Sequence, residues 1–427
     1  MNFKGKKLLV LGGIKLLCDV VIRAKALGAY VIVADYNENS PAKQIADEGV
    51  LINALDVDSI VSYCKEYHVD GVITGFVDIL LKPYYEVCKR LGLPCYLTSQ
   101  MIEISTNKIA FKETCKQFDV PVPETYIVGS EIPEEEYNKI KFPVFLKPLD
   151  SSGSRGAYKC NNKEELHKRF YDAIIFSPSR KVIIEDYLTG REFLMNFIAQ
   201  DGEFRMISMF DRHVTDNRGS AINYANLSFG PSKATDYYLN LVNDKVINMF
   251  KSLNFKDGIY FLQGYYDNNK ITFYEMGCRL GGSYYDLENA VIKIDPINML
   301  INYAFTGVMI DNIQDIREDI GKYDKIAVCV NYLLAGKEGT VYRIKGIDKI
   351  KQMGSYVHCE QRYEEGYHYN DGDKVVDRPL LCVYLMVQNF EQLVHDVDYM
   401  NNVFDVLDKN NNSLLQEKFN PLKLVKY

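Results

Sequence analysis

The sequence predicts an α/β and α+β multidomain chain that opens on a parallel, doubly wound sheet, and three observations lead there. Its 427 residues suit about three domains at roughly 150 residues each. Strand and helix patterns alternate through the first hundred residues, as they do where crossover helices join parallel strands. Beyond about residue 190, apolar runs flank short turn signals, as antiparallel hairpins do.

Composition excludes several classes. The chain is 47% hydrophobic and 25% charged, ordinary values for a globular protein. A formal net charge of −7 argues against a nucleic-acid partner, which normally meets a basic surface. No apolar run approaches the ~20 residues that span a bilayer, and Leu8 to Leu11 is too short for a signal-peptide core. The ten cysteines are scattered, with Cys88 and Cys95 the nearest two. This spacing reads as reduced thiols in a cytoplasmic protein with no membrane partner.

Lys7 to Leu11 is a first strand, ending at Gly12-Gly13, and Tyr30 to Asp35 is a second. Ser40-Pro41 marks a helix start, serine as cap and proline in the first turn. Gly71 to Gly75 and Leu93 to Leu97 read as further strands. The turn Gly12-Gly13-Ile14 lacks the three spaced glycines of a dinucleotide fingerprint. Asp35, although placed like a ribose-binding acid, therefore reads as a plain strand-end residue. From about Thr106 the character changes. A helix through Phe111 and Cys115 ends near Pro121. One hairpin joins Phe193–Ala199 to Glu203–Phe210 around Asp201-Gly202, and a second spans Gly258 to Met276. After Gly307 come strands at Ile326–Leu334 and Leu380–Val387.

Three segments carry chemistry. Lys147 closes the strand that begins near Phe142, where a rigid element holds its ammonium as a compact charge for phosphate. The loop Ser151-Ser152-Gly153-Ser154-Arg155-Gly156 follows at once and can turn successive backbone N–H groups toward phosphate oxygens. In the second segment, Val182 to Glu185 is a strand running into a hinge, Asp186-Tyr187-Leu188. Backbone groups there can read an adenine edge and a nearby acid can take ribose hydroxyls, or the segment is a plain strand with a solvated acidic end. The third segment is the hairpin ending at Arg279. Glu275 follows Ile271, Phe273 and Tyr274, at the end of a largely buried strand where an acid is unusual unless paired or metal-bound. Gln263 faces Glu275 if the turn is centred on Asn269, with a three-residue loop of Asn268, Asn269 and Lys270. A two-residue loop puts the two on opposite faces. Side by side, their oxygens suit Mg²⁺, and Arg279 emerges where a developing phosphoryl charge needs a donor.

In this order and spacing the segments resemble the ATP-grasp superfamily, in its carboxylate–amine ligase branch with carbamoyl-phosphate synthase and biotin carboxylase. The resemblance spans nearly the whole chain. It implies a Rossmann-like domain over 1–105, an ATP-grasp domain over 106–307 with a lid at about 120–187, and a biotin-carboxylase-like mixed α/β domain over 308–427. It implies that Thr106-Asn107-Lys108, with Phe111-Lys112, supplies an α-phosphate lysine, and that Lys147 contacts phosphate and adenine. Ser152, Gly153 and Ser154 stand in the loop that closes over the phosphates. Glu185 to Leu188 read adenine and Glu192 the ribose. Gln263 and Glu275 hold Mg²⁺ (or Mn²⁺), and Arg279 serves the reacting centre. Two positions depart from the pattern. Gln263 stands where many members have glutamate, and Gly277 where they have asparagine, which leaves a leaner metal centre and puts a second ion in question.

The implied reaction activates a small-molecule carboxylate with ATP as an acyl phosphate and joins it to an amine, with an amino acid among the candidates. A small-molecule kinase on the same scaffold and a non-catalytic nucleotide-binding regulator stay open beside it. An NAD-dependent oxidoreductase stands further off. The segment Met209-Phe-Asp211-Arg212-His213-Val-Thr215 reads as a loop, either acceptor-binding or plainly solvated, and Tyr284, Tyr285 and Asp286 as residues that could line the same cleft. A homodimer is allowed by the resemblance.

Overall fold

The computed structural model describes residues 1–150, 156–214, 224–316, 324–335, 338–370 and 378–424. The first unit is a parallel sheet in the order Glu48–Val50, Tyr30–Ala34, Lys7–Leu11, Gly71–Ile73. Its two central strands are buried almost throughout, as strands covered by helices on both faces must be. The expected strand at Leu93–Leu97 does not form. Pro94 has no N–H to give a ladder, and the Leu93 amide already bonds Cys88 O at the end of the helix Leu81–Leu91. The sheet instead gains Glu48–Val50, a short, half-exposed edge strand with no apolar run to announce it. The helix Pro41–Ile45 begins where expected, but the Ser40 side chain makes no capping hydrogen bond. Asp35 accepts from Gly13 N and Asn37 N, both at 2.7 Å, so it closes its own turn.

The second unit is an antiparallel sheet in the order Thr125–Gly129, Val182–Asp186, Val144–Pro148, Tyr158–Cys160. The helix Lys163–Ile175, capped by Asn162, covers it around a small core of Val144, Leu146, Leu166, Phe170 and Ile184.

The third unit is one antiparallel sheet of eight strands in the order Lys270–Gly277, Gly258–Asp267, Arg191–Gln200, Glu203–Val214, Ala225–Gly230, Ile326–Leu333, Pro379–Val387, Tyr356–Gln361. The strands after residue 308 therefore continue the central sheet through the pairing of Ala225–Gly230 with Ile326–Leu333. Met209 to Val214, expected as loop, lie inside the long strand Glu203–Val214, and Asp211 is buried there. Alternation of Ile207, Met209 and Asp211 with Ser208 and Phe210 carries the ladder past the point where the apolar run thins. Thr215 lies outside the described residues.

The units dock through polar ties. Arg23 bonds Asp286 at 2.6 Å and Asp295 at 2.7 Å, and Tyr285 donates to Asp19. Tyr284 stacks on Phe210 and bonds Ser228 at 2.9 Å. Tyr285 and Asp286 thus fasten the helix Tyr285–Ile292 to the first unit, and Tyr284 seats against the large sheet, in place of the cleft-lining role expected of the three. All ten cysteines are free thiols. No helix among the described residues is long and apolar enough to cross a membrane.

The main core concentrates around Phe250, whose ring lies within 5.7 Å of those of Phe197, Phe204, Phe255 and Tyr260. Phe250→Ala should cost about 3–5 kcal/mol, read as a lowered midpoint in a guanidinium titration. An unchanged midpoint would remove this cluster from the stabilising core.

Candidate functional site

The helix Lys108–Gln117 starts on Asn107, whose side chain accepts from Ile109 N at 3.0 Å and Ala110 N at 3.3 Å. Lys108 and Lys112 are four residues apart and share one face of it. Across from them, Lys147 and Glu185 sit on neighbouring strands of the four-stranded sheet. Phe145 pairs with Glu185 and Lys147 with Ile183, so the lysine is the diagonal, same-face neighbour of the glutamate. The Glu185 carboxylate bridges Lys112 and Lys147, one oxygen to each, with all three side chains at least nine-tenths buried. Lys112 also donates to Thr125 Oγ1 at 3.1 Å. Desolvation, then the charges of Lys116 and Lys108, pushes the Lys112 ammonium down to about 7. Lys147 is held well below its ordinary value by burial and by Lys112. One carboxylate cannot neutralise two ammoniums, so burial lowers both lysines, and an anion entering the pocket would favour their charged forms. Lys108 reaches Leu149 O at 3.4 Å, at the entrance to the Ser/Gly loop. Ser152, Gly153 and Ser154, with Arg155, lie outside the described residues.

At the hinge, Asp186 N bonds Glu124 O at 3.0 Å and Tyr187 N bonds Pro143 O at 3.3 Å. Among the described residues no group accepts the Leu188 N–H. Glu192 is buried, taking hydrogen bonds on one oxygen from Arg212 and from Tyr274 at 2.7 Å.

Gln263 does pair with Glu275, but not through the expected three-residue loop. The turn has two residues, Asn268 and Asn269, both left-handed at φ 47° and 56°, as a primed hairpin turn requires. That turn alone would put the two side chains on opposite faces. A β-bulge at Tyr274 restores the register, since Gly264 pairs with Phe273 and Gln263 with Glu275. Glu275 is exposed, in contrast to the buried position expected of it. Partial desolvation and the nearby Asp78 charge raise its carboxyl, against Arg279, Lys108 and Lys147.

The Gln263 amide satisfies both neighbours in one orientation only. Its nitrogen then donates to Glu275 Oε2 at 3.1 Å and its oxygen accepts from Arg212 Nη1 at 2.9 Å. The oxygen expected to ligate a metal thus faces a guanidinium. Turning it toward an ion would set the amide NH₂ against Arg212, donor to donor. Glu275 fits a metal ligand and Gln263 fits the residue that holds it. Among the described residues no three His, Cys, Asp or Glu side chains gather as a metal set, so phosphate oxygens and water would complete the shell.

Arg279 is gripped by Asp78 through Nε at 2.6 Å and Nη2 at 2.7 Å, and its Nη1 donates to Leu280 O at 2.8 Å. Its flanks are tied to the first unit too, Cys278 O by Tyr96 at 3.0 Å and Leu280 N by Gly75 O at 3.2 Å. The guanidinium rests over the Phe261 ring at 4.9 Å. The same ring explains Gly277, because a Cβ at 277 would overlap it. His213 is pushed down to about 4 by burial and by Arg191, and its ring stacks on Phe229, so it is a neutral packing residue near neutral pH.

Sequence reasoning named Lys108, Lys147, Glu185, Glu192, Gln263, Glu275 and Arg279, which lie on the helix Lys108–Gln117, on strands of the two antiparallel sheets and just past the hairpin. It passed over Asp78, Tyr274, Phe261 and the bridging place of Arg212. Asp78 had a usable signal, since it follows the carboxyl end of a parallel strand, where ligands of such sheets collect.

These features are those of a known fold. Residues 116–245 match the family described as D-ala D-ala ligase C-terminus. Formate-dependent phosphoribosylglycinamide formyltransferase of Prochlorococcus marinus (strain MIT 9515) is 30% identical over 191 residues, 44% of this chain and 49% of that protein. The chain spans about half the length of this curated relative. Phosphoribosylglycinamide synthetase from Anaerococcus prevotii superposes with a TM-score of 0.74 at 17% identity, over 95% of this chain and 100% of that one. Biotin carboxylase from Campylobacter jejuni, solved as a β,γ-ATP complex, gives 0.75 at 15% identity over 99% and 95%. The fold is that of the ATP-grasp proteins.

If the Phe261 ring is what excludes a side chain at 277, Gly277→Ala should cost about 1–3 kcal/mol by overpacking. Pairing it with Phe261→Leu should recover part of that loss in chemical denaturation, whereas strictly additive losses would detach the two positions.

Proposed function

We propose that the chain is an ATP- and magnesium-dependent ligase that activates a small-molecule carboxylate as an acyl phosphate and joins it to an amine. The supporting observation is the placing of two buried lysines, Lys112 and Lys147, around one carboxylate, with Lys108 beside them, so that both are fully charged only when a further anion is present. Buried cations of this kind are costly to fold unless an anion completes them, and a polyphosphate is such an anion.

On this reading Lys108, Lys112 and Lys147 hold the phosphates, and the Leu188 N–H offers adenine its donor in a hinge begun by Glu185, Asp186 and Tyr187. Glu192 takes the ribose. Glu275 holds the divalent ion, Mg²⁺ or Mn²⁺, with Gln263 steadying it, and the bound ion supplies charge neutralisation to the phosphates. Arg279, fixed by Asp78, keeps N–H groups on Nη1 and Nη2 beyond the bonds named above and presents them to the transferring phosphoryl group. The carboxylate oxygen bonds to the γ-phosphorus as ADP leaves, and the amine then attacks the acyl carbon as phosphate leaves. The protein's part is positioning and charge stabilisation. Along the sequence the units divide at 1–105, 106–307, with a lid at about 120–187, and 308–427, the last adding its strands to the sheet of the second.

The test is ADP release across a panel of carboxylates crossed with amines. Release that requires both supports the ligase, release with one acceptor alone identifies a kinase, and ATP binding without release identifies a regulator. Against a productive pair, Glu275→Gln and Arg279→Ala should each lower turnover by about 10²–10³ with unchanged circular dichroism. Wild-type turnover in either would end the role assigned to it. Since the Lys112 ammonium sits near 7, it is charged below that pH and neutral above it. Metal-free ADP should bind more weakly as pH rises from 6 to 8.5, by fluorescence titration. Lys112→Met should flatten the profile, and a flat wild-type profile would contradict it.

A further inference from the structure

A hydrogen-bonded chain crosses four adjacent strands of the large sheet. Glu275, Gln263, Glu192 and Arg212 occur on successive strands, Glu192 directly paired with Arg212 and Gln263 with Glu275. Arg212 reaches over the strand carrying Glu192. Its Nη1 donates both to Glu192 Oε1 and to the Gln263 oxygen at 2.9 Å, and the Gln263 nitrogen holds Glu275 Oε2 at 3.1 Å. Tyr274, the bulged residue, adds its hydroxyl to Glu192 Oε1 at 2.7 Å. The Arg212 side chain is only 18% exposed, so a cation has been placed inside the sheet to serve both ends of this chain.

We infer that Arg212 is a positioning residue that couples the ribose end of the nucleotide site, Glu192, to its metal end, Glu275, and that Gln263 is its link and not a metal ligand. This rests on the ATP-site reading above and adds to it a mechanism by which metal and nucleoside reinforce each other. Arg212 fixes the orientation of the Gln263 amide. That orientation leaves the amide nitrogen, not its oxygen, facing Glu275, and so settles where the carboxylate points. Two sites that share one such tether influence each other's affinity reciprocally.

The experiment measures the dissociation constant of ADP by calorimetry, with excess Mg²⁺ and with EDTA, and takes the ratio as the gain from metal. In Arg212→Leu this gain should fall about tenfold, the scale on which residues behind metal ligands act. Arg212→Lys keeps a counter-charge for Glu192, so it is the variant to read if the leucine protein does not fold, and it should lose a smaller part of the gain. Tyr274→Phe cuts only the bond on the ribose side. It should weaken ADP equally in both buffers and leave the gain unchanged. If Gln263 is itself a ligand, freeing it from Arg212 keeps or raises the gain, and that result overturns the inference. So does a loss in Tyr274→Phe as large as in Arg212→Leu. A wild-type protein that binds no ADP even with Mg²⁺ overturns the ATP-site reading itself, and this inference with it.

Discussion

The carboxylate of Glu185, shared between Lys112 and Lys147, is the constraint on which the rest of the site depends. It is the point where the helix Lys108–Gln117, in the body of the protein, meets the small antiparallel sheet. Removing one partner of a buried ionic group leaves the others uncompensated. The three side chains therefore hold or fail together, and with them the position of the small sheet over the cleft. Two buried lysines meet one carboxylate, so an entering anion is what lets both carry their charge.

The large sheet supplies the opposite wall. It runs without interruption from the hairpin bearing Glu275 to the strands near the C-terminus, so the two ends of the chain's second half share one sheet. Arg279 leaves its edge strand and is at once fastened to the first unit through Asp78, Tyr96 and Gly75. Two units therefore meet at a stretch of three residues. The edge strand is itself protected where the chain enters the small sheet, because Pro121 O accepts from Phe273 N at 2.8 Å.

Much of this was legible in the sequence, and the failures have particular causes. Long apolar runs such as Ile326 to Leu333 and Pro379 to Val387 declare themselves by length and burial. The short strand Glu48–Val50 does not, because three half-exposed residues carry no period. Leu93 to Leu97 has the composition of a strand, but a proline and a helix-terminating hydrogen bond take its donors. The hairpin is the more instructive case. The pairing of Gln263 with Glu275 was foreseen and its cause was not, since a two-residue turn and a bulge add to the same register as a three-residue loop. Nothing in the residue types distinguishes the two routes. The direction of the Gln263 amide was equally hidden, because it depends on Arg212, fifty-one residues earlier in the chain.

Phe261 has one more consequence. Its ring fills the space beside Gly277 and, by its position, supports the guanidinium of Arg279. A larger residue at 277 therefore needs the ring gone, and the ring's removal takes the support from under the arginine. The two positions are therefore coupled, the ring that excludes a side chain at 277 being the same surface on which the arginine rests.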